Sequence, residues 1–437
     1  MHGFIIKTWM PTRKPDLVPV HEAAKSLGVS PDTIRRYAKK GLIKSTRSSE
    51  NHRLFSLKEL ARLNSKRGQK SRYRVLPKKK RSGVSAIELF TGCGGMALGF
   101  ERAGITSKLL VEFDKNACAT LRKNWPKKQV YEGDVSAVDF TDYAGKIDIV
   151  AGGFPCQAFS YAGFSRGFAD TRGTLFFEFA RCVQEVRPKI AVGENVRGLL
   201  KHDDGRTLET MLTALREIGY RPSFHLLRAQ FLDVPQKRER LIILAVREDL
   251  ATDTPYLFPK ERDYTVPLGE ALKDVPGSPG QTYSKARHKI MEQVPEGGYW
   301  RDLPDSDQRS HMGASYFLTG GRTGMARRLH RDEPSLTLTC SPSQKQTERC
   351  HPTETRPLST REYARIQTFP DDWEFTGSMS SVYKQIGNAV PVNLAHHLGR
   401  CLIAMLDPSS VTPEMEEGSE WEPEKNQMYL PLVAVAS

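Results

Sequence analysis

A cysteine in a loop at the end of a strand is the sharpest chemical signal in this chain. Cys156 lies in Ala151-Gly152-Gly153-Phe154-Pro155-Cys156-Gln157, directly after the strand pattern of residues 146–151. Ligands of open α/β sheets gather beyond the carboxyl ends of the strands. A thiol there is a candidate nucleophile once its thiolate is favoured. Glu194-Asn195-Val196 follows the next strand pattern, and Gln236-Lys237-Arg238-Glu239-Arg240 precedes another. An acid and two guanidiniums are therefore expected at the same edge as Cys156. Cys93, Cys118, Cys182 and Cys401 read instead as small buried hydrophobes.

A second group of residues suits a cofactor. Phe90-Thr91-Gly92-Cys93-Gly94-Gly95 ends a strand pattern and opens the helical run of residues 96–103. Glycines there let the backbone approach a ligand, and the helix start favours polar groups. The next strand ends at Glu112, where an acid can hold two ribose hydroxyls. Gly133-Asp134-Val135 suits an adenine edge. This order fits an adenosine ligand and needs no pyrophosphate. Ordinary helix caps and turn acids are the competing reading.

Elements must bring these residues together. From Val84, strand and helix patterns alternate through about residue 246, which predicts a doubly wound, mostly parallel α/β sheet. Residues 251–328 are rich in Pro, Gly, Ser, His and Arg, and predict a loop-rich second domain. The chain has 437 residues, enough for two or three domains. No apolar run is long enough to span a bilayer, and the first residues lack a secretion-signal pattern. Seven scattered cysteines without a C-x-x-C pair point to a reducing cytosol and to no metal cluster.

The net charge of +14 is unevenly spread. Residues 1–82 hold 22 Lys and Arg against 5 acids, whereas the remainder is close to neutral. A local basic excess implies a polyanionic partner. Within it, residues 21–27 and 33–40 form two helical patterns separated by Gly28, with Ser30 as cap and Pro31 at the first position. Arg35, Arg36, Lys39 and Lys40 on the second pattern suit phosphates and base edges. The order V-x-x-A-A-x-x-L-G-V-S-x-x-T-I-R-R-Y-x-x-x-G-L-I resembles the first half of MerR-type winged helix-turn-helix domains. The MerR dimerising coiled coil does not follow.

F-x-G-x-G-G, P-C-Q, E-N-V, Q-x-R-x-R and G-N-A-V-P, in that order, resemble the DNA (cytosine-5)-methyltransferases. The resemblance spans about residues 84–406. It implies a Rossmann-like S-adenosyl-L-methionine-dependent methyltransferase domain and transfer of a methyl group to C5 of a flipped cytosine in duplex DNA. Residue by residue, it makes Cys156 the nucleophile that adds to C6. Glu194 becomes the carboxyl on N3 and the exocyclic amine, with Asn195 bracing it. Arg240 becomes the guanidinium on O2, with Arg238 close by. Phe90, Gly92, Gly94, Gly95, Glu112, Phe113, Asp134, Val135, Pro155, Leu175, Asn388 and Ala389 would hold the cofactor. Arg166, Arg322, Arg327 and Arg328 are candidate DNA contacts, beside the four basic residues of the N-terminal motif.

The expected organisation is a helix-turn-helix domain over 1–65, a mobile basic linker over 66–83 and a catalytic domain over 84–250. A target-recognition domain over 251–370, a return to the catalytic domain over 371–407 and a mobile acidic tail over 408–437 complete it. The same resemblance implies a cytoplasmic, nucleoid-associated enzyme of bacterial or phage origin with a monomeric catalytic body. A cognate restriction endonuclease encoded nearby is the expected partner. A tRNA methyltransferase sharing the motifs and a DNA-binding regulator with an inactive body are the rival readings.

Overall fold

The computed structural model describes residues 17–60, 72–154, 175–317 and 322–423, apart from 28, 30, 40–42 and 49–50. Lys40, Pro155, Cys156 and Arg166 lie outside the described residues, as does the side chain of Arg36. Two compact units divide the chain after Ser71.

In the first unit, β1 (Leu17–Pro19) leads into α1 (Val20–Leu27), and α2 (Pro31–Lys39) starts at its proline. Proline suits that position because its missing N–H would have no partner in the first turn. A hairpin of β2 (Ser45–Arg47) and β3 (Arg53–Ser56) closes on β1 in the order β1-β3-β2. Ala23, Ala24, Leu27, Ile34, Tyr37 and Phe55 form its core. Arg35 and Lys39 remain on the exposed face of α2. The result is a small winged helix-turn-helix.

The second unit is built on a sheet of seven strands. These are β4 (Ser85–Leu89), β5 (Thr106–Glu112), β6 (Val130–Glu132), β7 (Ile149–Gly152), β8 (Ile190–Val196), β9 (Tyr220–Arg228) and β11 (Glu239–Arg247). Their order is β6-β5-β4-β7-β8-β11-β9. β6, β5, β4, β7 and β8 pair in parallel, and β11 runs antiparallel to both its neighbours. The winding reverses between β4 and β7, so a crevice opens beyond their carboxyl ends.

Side chains alternate across the sheet, as a period of two requires. On β11, Leu241, Ile243 and Ala245 enter one core with Phe154, Phe176 and Leu212. Ile242, Leu244 and Val246 enter the opposite core with Phe100, Leu398 and Leu402. Around the sheet lie α3 (Gly95–Ala103), α4 (Lys115–Asn124), α5 (Leu175–Val186) and α6 (Arg206–Glu217). The sequence reading contained no strand for β9. Pro222 and its half-polar neighbours hide the alternation, and the segment is a strand because β11 pairs with it across nine positions.

Residues 268–388 add α7 (Lys285–Gln293), α8 (Asp305–Met312), α9 (Thr360–Ile366) and α10 (Met379–Asn388). A short parallel pair, β10 (Gln236–Lys237) with β13 (Ser335–Leu336), ties this part to the sheet domain. The last helix, α11 (Val392–Leu406), lies along α3. A Cβ on Gly99 would stand 2.4 Å from the Ala395 Cβ, and one on Gly399 would stand 2.8 Å from the Ala103 Cβ. Only glycine permits so close an approach of the two helices.

Two segments expected to be mobile are docked. Residues 72–83, the second half of the basic linker, form an extended strap on the catalytic body. The Tyr73 hydroxyl donates to the Arg365 carbonyl, and the Leu76 amide donates to Asn393 Oδ1 at 2.9 Å. Arg102 Nε donates to the Leu76 carbonyl, and the Lys79 amide donates to the Arg102 carbonyl. Charge composition could not show these partners because they lie far away in sequence. The acidic tail is held at least to Trp421, which is buried in the core beneath β9. On the way, β14 (Met415–Glu417) pairs with β12 (Leu257–Pro259). No helix among the described residues is long and apolar enough to cross a membrane.

A buried carboxylate fastens the strap side of the body. Asp233 is 1% exposed and accepts hydrogen bonds from the Tyr264 hydroxyl at 2.5 Å and His397 Nε2 at 3.0 Å, with Arg262 nearby. Burial by itself would raise its pKa, but the His397 bond and the neighbouring cations hold it at about 2. Because the folded value is depressed, this stabilisation is present above the ordinary value of 3.8 and is lost as pH falls through about 2. Asp233→Asn is expected to lower stability at pH 7 by about 3 kcal/mol, because it removes the buried charge around which Tyr264, His397 and Arg262 are arranged. Denaturant titrations from pH 7 down should show the gap to wild type closing as pH drops below 4.

Candidate active site

The crevice at the switch point is a cavity of about 1230 Å³. Its walls carry the glycine loop, Glu112, Phe113, Glu194, Asn195, Arg238, Arg240, the stretch 337–340 and residues 387–390. Segments up to three hundred residues apart in sequence thus meet at one sheet edge.

The cofactor half is preorganised. Phe90 ends β4 with a left-handed φ of 57°, a costly conformation for an aromatic residue. Gly92 and Gly94 also have positive φ. Nothing lies within 4 Å of the position a Cβ on Gly92 would take, so this loop presents bare backbone to the cavity. Gly95 has a different reason to be glycine: its Cβ would meet the Val390 carbonyl oxygen at 2.3 Å. Glu112 fixes the loop. Its Oε2 accepts from the Gly92 amide at 2.7 Å, and its Oε1 accepts from the Phe113 and Asp114 amides. Phe113 leaves 74% of its surface exposed beside the cavity, an aromatic plate without a covering group. A bare loop, a fixed acid and an open aromatic face fit a ribose and adenine. Asn388 and Ala389 line the same wall.

Gly94 and Gly95 lie outside the cavity wall, Gly94 against Leu121, Trp125 and Trp373, and three further cofactor candidates are also placed differently. Asp134 is not in the cavity wall and uses its carboxylate to accept from the Ser136 amide and hydroxyl. Val135 is buried in the core under the sheet. Leu175 opens α5 and packs against that same core.

In the catalytic half, Glu194 Oε1 and Arg240 Nε form an ion pair at 2.5 Å. Both side chains are about nine-tenths buried. Asn195 Nδ2 donates to the Phe154 carbonyl at 2.9 Å, and its Oδ1 accepts from the Val196 amide. That carbonyl is two residues before Cys156, so Asn195 ties the segment just after β7 to β8. Arg238 lines the cavity but is 2% exposed, and it donates to the carbonyls of Leu338, Gly387 and Ala389. It therefore joins β10 and β11 to the cofactor wall instead of reaching outward. Burial pushes its pKa well down, and Arg240 next to it adds to the effect.

Two wall residues were not singled out from the sequence. Glu88 on β4 is fully buried, and its Oε2 has no hydrogen-bond partner. Burial raises its pKa to about 8, against the pull of Lys128. A glutamate inside an apolar strand pattern was the available signal. Cys340 is exposed in the cavity lining and donates to Asn388 Oδ1.

Of the arginines expected on DNA, Arg328 is not available. It is 5% exposed and donates to the carbonyls of Met291, Val294, His351 and Glu354. A guanidinium with five donors is well suited to tie irregular segments together, and Arg328 does this for the loop-rich region. Arg327 stacks over the Tyr299 ring, and Arg322 donates to the Ser315 carbonyl.

Residues 84–404 match the profile of the C-5 cytosine-specific DNA methylases. The chain belongs to that family. Residues 20–55 of this methylase match the MerR family of regulatory proteins. Over 412 residues it is 54% identical to the Type II methyltransferase M.Eco47II of Escherichia coli, covering 91% of this chain and 98% of that one. M.PspPI of Psychrobacter sp. (strain TA137) is 56% identical over 331 residues, 74% of this chain and 80% of that one. Among solved structures, a putative DNA modification methyltransferase encoded within an E. coli prophage aligns with TM-score 0.54 and 24% identity. It covers 74% of this chain and 99% of its own. A DNMT2 from Spodoptera frugiperda aligns with TM-score 0.50 and 16% identity over 73% of this chain. The solved structures establish the fold alone. The methylase is a DNA cytosine-5-methyltransferase, with S-adenosyl-L-methionine as its methyl donor.

Proposed function

We propose that this methylase acts through a covalent Cys156 adduct on a cytosine swung out of the duplex, as the modification arm of a restriction–modification system. The observation that carries the reading is the Glu194–Arg240 pair, held at the cavity edge beside the anchored base of the Cys156 loop. C5 of cytosine is not nucleophilic enough by itself. Addition of the Cys156 thiolate to C6 makes C5 electron-rich, and Glu194 offsets the charge that then builds at N3. The bound S-adenosyl-L-methionine supplies an electrophilic methyl group. C5 would take that methyl with release of S-adenosyl-L-homocysteine, then lose its proton to solvent as the C6–S bond breaks, restoring the ring and the thiolate. Arg240 orients Glu194 and reaches O2 of the base. Gly92, Glu112 and Phe113 hold the cofactor, with Asn388 and Ala389 beside them. A stacked base cannot reach these groups, which is why it must leave the helix.

The primary test is transfer of label from S-adenosyl-L-methionine to duplex DNA and to tRNA, with 5-methylcytosine then mapped in the product. Label in duplex DNA at one recurrent sequence supports the reading, and label in tRNA alone overturns it. Co-expression with a nuclease encoded beside the gene tests the pairing, because methylated DNA should then resist cleavage.

The helix-turn-helix unit adds DNA affinity or binds an operator. Its exposed Arg35 and Lys39 support phosphate contact. Truncation to test this should remove residues 1–71 and leave the strap, because Leu76 and Tyr73 are bonded into the body. The shortened protein is expected to keep methyl transfer and to bind DNA with a shallower salt dependence, reduced by about one per lost phosphate contact. An unchanged salt slope would show that this unit does not touch the DNA being methylated.

A further inference from the structure

Phe317 is the most exposed large apolar side chain among the described residues, at 81%. It is not loosely presented. Its ring meets Tyr316 edge-on at 5.2 Å, and Tyr316 meets the buried Trp300 at 6.0 Å. Guanidiniums border this row: Arg309 stands over Tyr316 and Arg301 over Trp300. A rigid aromatic in water, rooted in a core and flanked by arginines, suits a partner with both phosphates and flat bases.

Its position points the same way. Arg322 donates to the Ser315 carbonyl, two residues before Phe317. Gly324 packs against the 344–348 segment: the Glu348 amide donates to the Gly324 carbonyl, and Gly324 abuts Gln346. Thr347 bonds in turn to Thr339, which lines the catalytic cavity together with Gln344. Trp300, at the root of the aromatic row, donates its amide to the Met325 carbonyl beside Gly324, so the row belongs to the same packed region as the loop that adds Thr339 and Gln344 to the cavity lining.

We propose that Phe317 is a stacking wedge that enters a base step of the bound duplex and kinks it, with Arg301 and Arg309 on the adjoining phosphates. This rests on the reading of the cavity as a site for duplex DNA. Apolar wedges between base steps unstack them, and the bend brings more protein surface onto the DNA.

The test uses the full chain with a cognate duplex carrying a fluorophore at each end. Phe317→Ala is expected to weaken DNA binding roughly 5- to 150-fold, the span for losing one aromatic–base stack. The bend seen as end-to-end energy transfer should disappear with it, while affinity for S-adenosyl-L-methionine stays unchanged. Phe317→Trp should restore both binding and bend. DNA binding within twofold of wild type for Phe317→Ala, or weaker binding with the bend intact, overturns the wedge. A wild-type chain that transfers no methyl to duplex DNA removes the functional reading beneath it, whereas an active wild type with an indifferent Phe317→Ala removes the wedge alone.

Discussion

Cys156→Ser is expected to lower methyl transfer to duplex DNA by about a thousandfold or more, with DNA and cofactor binding retained. A serine hydroxyl stays protonated at neutral pH, and it is a poor nucleophile toward a ring carbon without a strong base beside it. Glu194, the acid on the strand next to β7, is already engaged by Arg240. The substitution removes one atom type and little volume, and Phe154 remains buried with its carbonyl held by Asn195. The loop should therefore keep its anchor while the chemistry stops. Transfer of label under single-turnover conditions reads the chemical step, and a gel shift reads binding. Transfer at more than a tenth of the wild-type rate would remove Cys156 from the mechanism.

Glu194→Gln is expected to cost about a hundredfold to ten-thousandfold in kcat, the usual range for a positioned acid or base. The amide keeps the size of the side chain and can still accept a bond from Arg240. It cannot carry the charge that pairs with that guanidinium, nor give a proton to N3 as the thiolate adds. The loss should appear in kcat and not in the KM for S-adenosyl-L-methionine, because the cofactor wall is fixed by Glu112 and not by Glu194. Arg240→Lys should be milder, since charge remains but the planar fork does not. A Glu194→Gln enzyme altered only in cofactor KM would contradict this placement.

The two groups of chemical residues were legible in the sequence because each follows a strand. Phe90–Gly95 after β4 and Glu112 at the end of β5 stand where the alternation of strand and helix predicts, whereas Glu194, expected just after its strand, lies within β8, which runs on to Val196. The same logic misassigned residues that share a motif but not a direction. Val135 sits one position beyond Asp134, yet it turns into the core while Asp134 caps its own turn. Arg328 has the charge of a DNA contact, but burial commits its donors to four carbonyls and the Thr355 hydroxyl. Charge likewise suggested a mobile strap, although its backbone finds partners at Asn393 and Arg102.

By itself the sequence determined the family, the chemistry and the strand ends that carry it, because residue type and local periodicity are properties of short segments. Tertiary structure alone decided which of those ends share a crevice. The reversal of winding between β4 and β7 brings the glycine loop into one crevice with Gly153 and Phe154 at the end of β7, and antiparallel pairing with β8 sets Arg240 opposite Val196, on the face that carries Glu194. Such proximity is set by the pairing of distant strands and by burial of their faces. Neither leaves a local trace in the chain.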